Sequence, residues 1–188
     1  MNDILTRIAA EKPLVHHITN NVTINDCANI TLYWGGLPVM ASNPREVEEM
    51  VSSASALLLN LGAIDYGATA AMIKAGKKAN QLGIPVVLDP VGAGATEFRT
   101  EQAQKIMRKV KPAVVKGNPG EITVLAGAEA EVRGVESIGD YNNLIENTRK
   151  LAWTQKTVVL VTGSQDLVTD GEEVYYINNG TSLLGKVV

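Results

Sequence analysis

The chain has 188 residues, 45% of them hydrophobic and 20% charged, with a net charge of −3 and one cysteine. That composition fits a soluble globular protein long enough for one core-bearing domain. It gives no electrostatic reason to bind nucleic acid or an anionic membrane, and 4% aromatics leave little for base stacking. No apolar run reaches the roughly 18 residues of a membrane span. The first dozen residues lack a signal-peptide apolar centre, and the lone Cys27 excludes an internal disulfide framework, as expected for a cytoplasmic protein.

From the N-terminus, Ile4, Leu5 and Ile8 predict a short amphipathic helix, and Leu14 to Ile18 a strand. Asn20 and Asn21 are placed to cap a helix running to about Tyr33, stopped by Gly35 and Gly36. Pro38 to Met40 reads as a brief strand, and Ser42-Asn43-Pro44 as the start of a helix over Glu46 to Ala54. Ala56 to Leu61 is a fully apolar strand. A helix follows from Asp65 to Leu82, ended by Gly83, and then a strand from Ile84 to Leu88. Thr100 is placed to cap Glu101 to Lys111, and Val114-Val115 is the next strand. A helix near Asp140 to Trp153 leads to the strand Thr157 to Val161. The strands Leu167-Val168 and Val174 to Tyr176 then form a hairpin across Asp170-Gly171. Apolar strands alternating with helices predict an α/β fold with a mostly parallel sheet covered on both faces.

Two post-strand loops carry the chemistry. The first, Asp89-Pro90-Val91-Gly92-Ala93-Gly94-Ala95-Thr96, puts a carboxylate at a strand's carboxyl end and a glycine-rich turn after it. Ligands of open α/β sheets bind at that edge, and Gly92 and Gly94 let backbone N–H groups approach a phosphate. The second, Lys116-Gly117-Asn118-Pro119-Gly120-Glu121, adds an amine, an amide and a carboxylate. A carboxylate beside an anion cradle implies a divalent metal between them, and the two loops together point to phosphoryl transfer. Other readings of these residues stay open. Asp89 also fits a plain turn before Pro90, Asn118 an N-cap paired with Glu121, and Lys116 a solvated lysine. Met40 fits a core position, and His16 and His17 fit structural roles. Cys27 fits a buried thiol, and Thr162-Gly163 a simple strand exit.

The run from His17 to Asn29, with Leu37 to Met40, Asp89 to Ala95 and Asn118 to Glu121, resembles the hydroxyethylthiazole kinases of the ribokinase-like superfamily over essentially the whole chain. The resemblance implies a ribokinase-like α/β/α sandwich. It also implies transfer of the ATP γ-phosphate to the hydroxyl of 5-(2-hydroxyethyl)-4-methylthiazole in thiamine salvage. Phosphoryl transfer needs positioning and charge stabilisation more than a strong nucleophile. Asp89 and Glu121 are then the residues for Mg2+. Lys116, Asn118, Thr162 and Gly163 fall on the ATP side, with Gly92 and Gly94 in the phosphate loop. Met40, Asn20 and Asn25 fall on the substrate side, and the implied assembly is a cytoplasmic homotrimer.

Two departures from the family pattern stand out. Ala63 occupies a place where the family commonly carries a hydroxyl. The sequence also ends at Leu184 to Val188, where a Gly-Thr-Gly-Cys segment is expected to bring the anion hole and the catalytic-base position. The chain is therefore expected to be a single domain incomplete at its C-terminus, inactive alone, and to leave one apolar sheet face open. The alternatives are a non-catalytic thiazole-binding remnant and a related enzyme, such as a hydroxymethylpyrimidine kinase or a nucleotide-dependent hydrate dehydratase.

Overall fold

A computed structural model describes residues 2–62, 64–127 and 141–181. Ala63, the expected helix start at Asp140, and the segment Leu184 to Val188 lie outside the described residues. The described elements run in the order α1 (Asn2–Glu11), β1 (Leu14–Ile18), α2 (Ile24–Tyr33), β2 (Leu37–Val39), α3 (Val47–Ser52), β3 (Ala56–Asn60), α4 (Tyr66–Leu82) and β4 (Val86–Asp89). After these come α5 (Glu97–Lys109), β5 (Val114–Gly117), α6 (Pro119–Leu125), α7 (Tyr141–Gln155), β6 (Val158–Val161), β7 (Asp166–Thr169) and β8 (Val174–Ile177).

All eight described strands form one sheet in the order β2-β1-β3-β4-β5-β6-β7-β8. Strands β1 to β6 pair in parallel, and β7 and β8 add an antiparallel hairpin at one edge. The chain steps from β1 to β2 in one direction, then returns past β1 to β3 and continues outward. Right-handed crossovers therefore put α2 on one face and α3 to α7 on the other. The reversal makes the β1/β3 boundary a topological switch point, where such sheets open a ligand crevice.

The two faces are filled unequally. On the face under α3 to α7, Leu57, Leu59, Val86, Leu88, Val115 and Val159 are fully buried. Small residues on α4 let it approach closely. A Cβ added at Gly76 would fall 2.6 Å from both methyl carbons of Val110. On the opposite face Leu58, Val87, Val114, Val158 and Leu160 are only half-buried, so that face is less enclosed among the described residues.

Local chemistry corrects three sequence expectations. Thr96, not Thr100, caps α5: its side chain accepts from the Arg99 amide, and the helix starts at Glu97. Asn20 does not cap α2, which begins at Ile24 without a side-chain cap. Asn20 instead accepts the Val22 and Thr23 amides in a turn ahead of it. Cys27 is half-buried rather than enclosed. Asp65 and Gly83 do bound α4 as cap and left-handed stop. No helix of the described residues is long and apolar enough to cross a membrane.

Candidate active site

The half-covered face ends in a polar row along the carboxyl edge of adjacent strands. Asn60 pairs in register with Asp89, and Lys116 lies one residue beyond the paired Leu88 and Val115. Thr19 lies one residue beyond the paired Ile18 and Leu59, so it stands beside Asn60. Beneath this row the same face is apolar, with His17, Leu58, Val87 and Val114 in sequence across the sheet.

Hydrogen bonds link the row end to end. Asn20 Nδ2 donates to Asn60 Oδ1 at 3.0 Å, Asn60 Nδ2 donates to Asp89 Oδ2 at 3.1 Å, and Lys116 Nζ reaches the same oxygen at 3.4 Å. The Asp89 side chain is 15% exposed and that of Lys116 38%, so the ammonium opens to solvent while the carboxylate is largely enclosed. Burial pushes the Asp89 carboxyl above its ordinary value; Lys116 pulls it back, and Glu121 adds to the rise. Its Oδ1 is buried and meets no protein partner, as is Thr19 Oγ1 in the same row.

Side chains lock the loops behind the row. Arg99 donates to the carbonyl oxygens of Leu61, Val91 and Gly62 at 3.0 to 3.1 Å, joining the loop after β3 to the loop after β4. Glu121 accepts the Gly92 amide on one oxygen and the Asn118 amide on the other, both at 2.8 Å, joining the β4 loop to the start of α6. Gly92 and Gly94 have φ of 80° and 90°, a region glycine enters without steric cost.

These contacts redistribute the roles read from sequence. Asn118 is the N-cap of α6 in a capping box with Glu121. The Gly92 amide is taken by Glu121 and the Gly94 amide by Thr100 Oγ1, so neither is a free phosphate donor. The Gly163 amide is likewise taken, by Asp166, and Thr162 hydrogen-bonds through its backbone N–H to the Gly117 carbonyl. Met40 is half-buried just past β2, and Asn25 is exposed on the first turn of α2, on the other side of the switch point from Asp89. Asn20 is nearly enclosed and committed to Asn60 and the turn before α2.

The buried His16 donates through Nε2 to the Ala41 carbonyl, next to Met40, at 2.7 Å. His17 meets Thr31 of α2. Both histidines are structural, as one of the sequence readings had them. Asn60 and Arg99 were not singled out from sequence. Asn60 carries a signal, a polar residue ending an apolar strand at the ligand edge; Arg99 carries none, since it sits in the first turn of a polar helix.

No cluster of three or more His, Cys, Asp or Glu able to hold a metal exists among the described residues. The resemblance implies Mg2+, an ion that usually keeps several waters and takes only one or two carboxylates from a protein. Of the two carboxylates expected to take it, only Asp89 keeps an oxygen without a protein partner.

The description of the hydroxyethylthiazole kinase family matches residues 5–188. The chain belongs to the hydroxyethylthiazole kinase family. It is 51% identical to the hydroxyethylthiazole kinase of Thermoanaerobacter sp. (strain X514) over 98% of this chain and 70% of the relative. It is also 51% identical to that of Methanocella arvoryzae, over 100% of this chain and 70% of the relative. The structure of the hydroxyethylthiazole kinase protein from Pyrococcus horikoshii OT3 superposes with a TM-score of 0.88 at 42% identity, covering 98% of this chain and 68% of that one. A pyridoxal kinase from Staphylococcus aureus, at 15% identity and a TM-score of 0.61, shares the fold. The ribokinase-like α/β architecture with a mostly parallel sheet is thus the family's own.

Proposed function

We propose that this chain carries the metal-and-phosphate side of a kinase site that transfers the ATP γ-phosphate to the hydroxyl of 5-(2-hydroxyethyl)-4-methylthiazole, in thiamine biosynthesis or salvage. The observation that carries this is the Asp89–Lys116 pair at the open carboxyl edge, with Asp89 Oδ1 buried and unpartnered. The family membership supplies the substrate and the co-substrate.

Asp89 offers an anionic oxygen that would help hold Mg2+. Lys116 brings a mobile point charge to the same edge, suited to a phosphate oxygen. Bound Mg2+ would neutralise charge on the phosphates as the bond to the leaving group breaks. Arg99 and Glu121 hold the loops still, so the groups need no reorganisation during transfer. Thr162 and Gly163 flank the nucleotide side at the end of β6. On the other side of the switch point, Met40 offers a polarizable thioether to the thiazole ring, with Asn20 and Asn25 bordering it.

The assembly we infer is a cytoplasmic homotrimer with Met40 and α2 facing a neighbouring subunit. Its support is a run of exposed apolar side chains on and beside α2, among them Val22, Ile30, Leu32, Tyr33 and Trp34, continuing to Leu37 on edge strand β2. Sedimentation returning a monomer would remove that part of the proposal.

The deciding experiment assays Mg2+- and ATP-dependent phosphorylation of the thiazole alcohol by this chain and by a longer version continued to the relatives' length. Turnover in either version supports the proposal. Thiazole binding without phosphate transfer in the longer version would favour a binding protein instead.

A further inference from the structure

We infer that Asn60 is the residue that positions Asp89, holding one carboxylate oxygen so that the other is presented to a cation. The inference deepens the kinase reading and rests on it for the cation's role.

The Asn60 amide can point only one way. Its Oδ1 accepts the Gly62 amide at 2.9 Å and Asn20 Nδ2 at 3.0 Å. A backbone N–H only donates, so Oδ1 must face Gly62, and Nδ2 must face Asp89. Asn20 is fixed by the same logic, because its Oδ1 accepts the Val22 and Thr23 amides at 2.9 and 3.1 Å. The direction of donation is therefore set by backbone, from the turn before α2 through Asn20 and Asn60 to Asp89.

Everything in that chain converges on one oxygen. Asn60 Nδ2 and Lys116 Nζ both approach Asp89 Oδ2, while Oδ1 is buried and has no protein donor. A largely enclosed carboxylate with both donors on one oxygen leaves the other with unspent acceptor capacity, which water, a hydroxyl or a cation must meet. The packing leaves little slack for another arrangement. A Cβ at Gly62 would lie 2.6 Å from Asn20 Nδ2 and 3.0 Å from Asn60 Oδ1, so glycine at that position is part of the same device. Lys116 alone would not fix the carboxylate, since its longer contact comes from a flexible, partly exposed side chain.

Asn60→Ser separates this role from a structural one. A serine hydroxyl still accepts the amide two residues on, preserving the turn at Gly62, but it is too short to reach Asp89. The probe is Mn2+ alone, titrated against the purified chain and followed by the electron paramagnetic resonance of the free ion. Asp89→Asn serves as the control that removes the site.

The expected result is saturable Mn2+ binding by the unsubstituted chain and affinity lower by roughly 10- to 100-fold in Asn60→Ser, the size typical of groups that orient metal ligands. The melting temperature should change little. In the version continued to the relatives' length, turnover should fall while the KM for the alcohol holds. Unchanged Mn2+ affinity in Asn60→Ser overturns the inference, and so does an unsubstituted chain that binds no Mn2+. Failure of the kinase reading shows differently: Mn2+ binding would respond to Asn60→Ser as expected, while the unsubstituted longer version transferred no phosphate.

Discussion

Along β3, Leu57 and Leu59 are fully buried on the side of α4, whereas Leu58 and Asn60, on the other side of the same strand, are only half-buried. The contrast repeats along β4, where Val86 and Leu88 are fully buried and Val87 and Asp89 only half-buried. One face therefore carries the stability of the sheet through close apolar packing, and the other carries the candidate site. A side chain on the first face is constrained by volume. One on the second, at the carboxyl end, is constrained by hydrogen-bond direction.

Paired substitutions across a strand test that division. Leu59→Ala should destabilise the chain by about 2–5 kcal/mol, the range for a fully buried leucine whose cavity cannot collapse. Leu58→Ala, from the half-covered face, should cost about 1 kcal/mol, in proportion to its smaller burial. Denaturant unfolding measures both, and equal losses would erase the distinction between the faces.

Gly76→Ala sharpens the volume argument. The new methyl meets both Val110 methyl carbons at 2.6 Å, and overpacking of this kind costs about 1–3 kcal/mol. The double variant Gly76→Ala/Val110→Ala should recover part of the loss, because the contact that creates the strain is gone. A Gly76→Ala protein as stable as the parent would show that α4 and the end of α5 are less tightly packed than described.

A smaller effect comes from the two histidines of β1, one on each face. Burial holds both His16 and His17 below the ordinary value of 6.5, partly offset for His16 by its bond to Ala41 and reinforced for His17 by His16. Each is neutral in the fold, so above 6.5 neither affects stability. As pH falls below that value the unfolded chain takes up protons that the folded chain resists, and stability declines until the folded pKa is reached. The melting temperature should therefore fall as pH drops below 6.5, and replacing His16 with a neutral residue should flatten that slope.

The parallel sheet, its helices and the edge hairpin were legible in the sequence because apolar strands and Gly, Pro and Asp punctuation are local signals. Asp65 and Gly83 marked α4 on both sides. Asp89 and Lys116 were legible as candidate site residues because each lies at the end of an apolar strand, and strand ends are where open sheets bind ligands. The cap at Thr96 was missed in favour of Thr100, since either threonine precedes an acidic residue and only the turn geometry separates them. The use of the Gly92 and Gly94 amides was not legible. Their partners, Glu121 and Thr100, are chosen by three-dimensional proximity, and a glycine-rich loop reads the same whether its amides face a ligand or a side chain. Arg99 was hidden for the same reason, its partners Leu61 and Gly62 lying 38 and 37 residues away, whereas Asn60 carried a strand-end signal that did not name its partner Asp89, 29 residues on.

The central claim is that Asp89 serves chemistry at the open edge rather than the stability of the fold. Burial raises its pKa above that of the unfolded chain, so at neutral pH the ionised carboxylate is a cost to folding. Asp89→Asn removes that charge while keeping an oxygen to accept from Asn60. The most direct measurement is turnover and melting temperature of Asp89→Asn in the version continued to the relatives' length. The account predicts turnover lower by about 100-fold or more, as for loss of a major electrostatic group, with a melting temperature unchanged or raised. Near-normal turnover together with a lowered melting temperature would contradict it, and would make Asp89 a structural carboxylate.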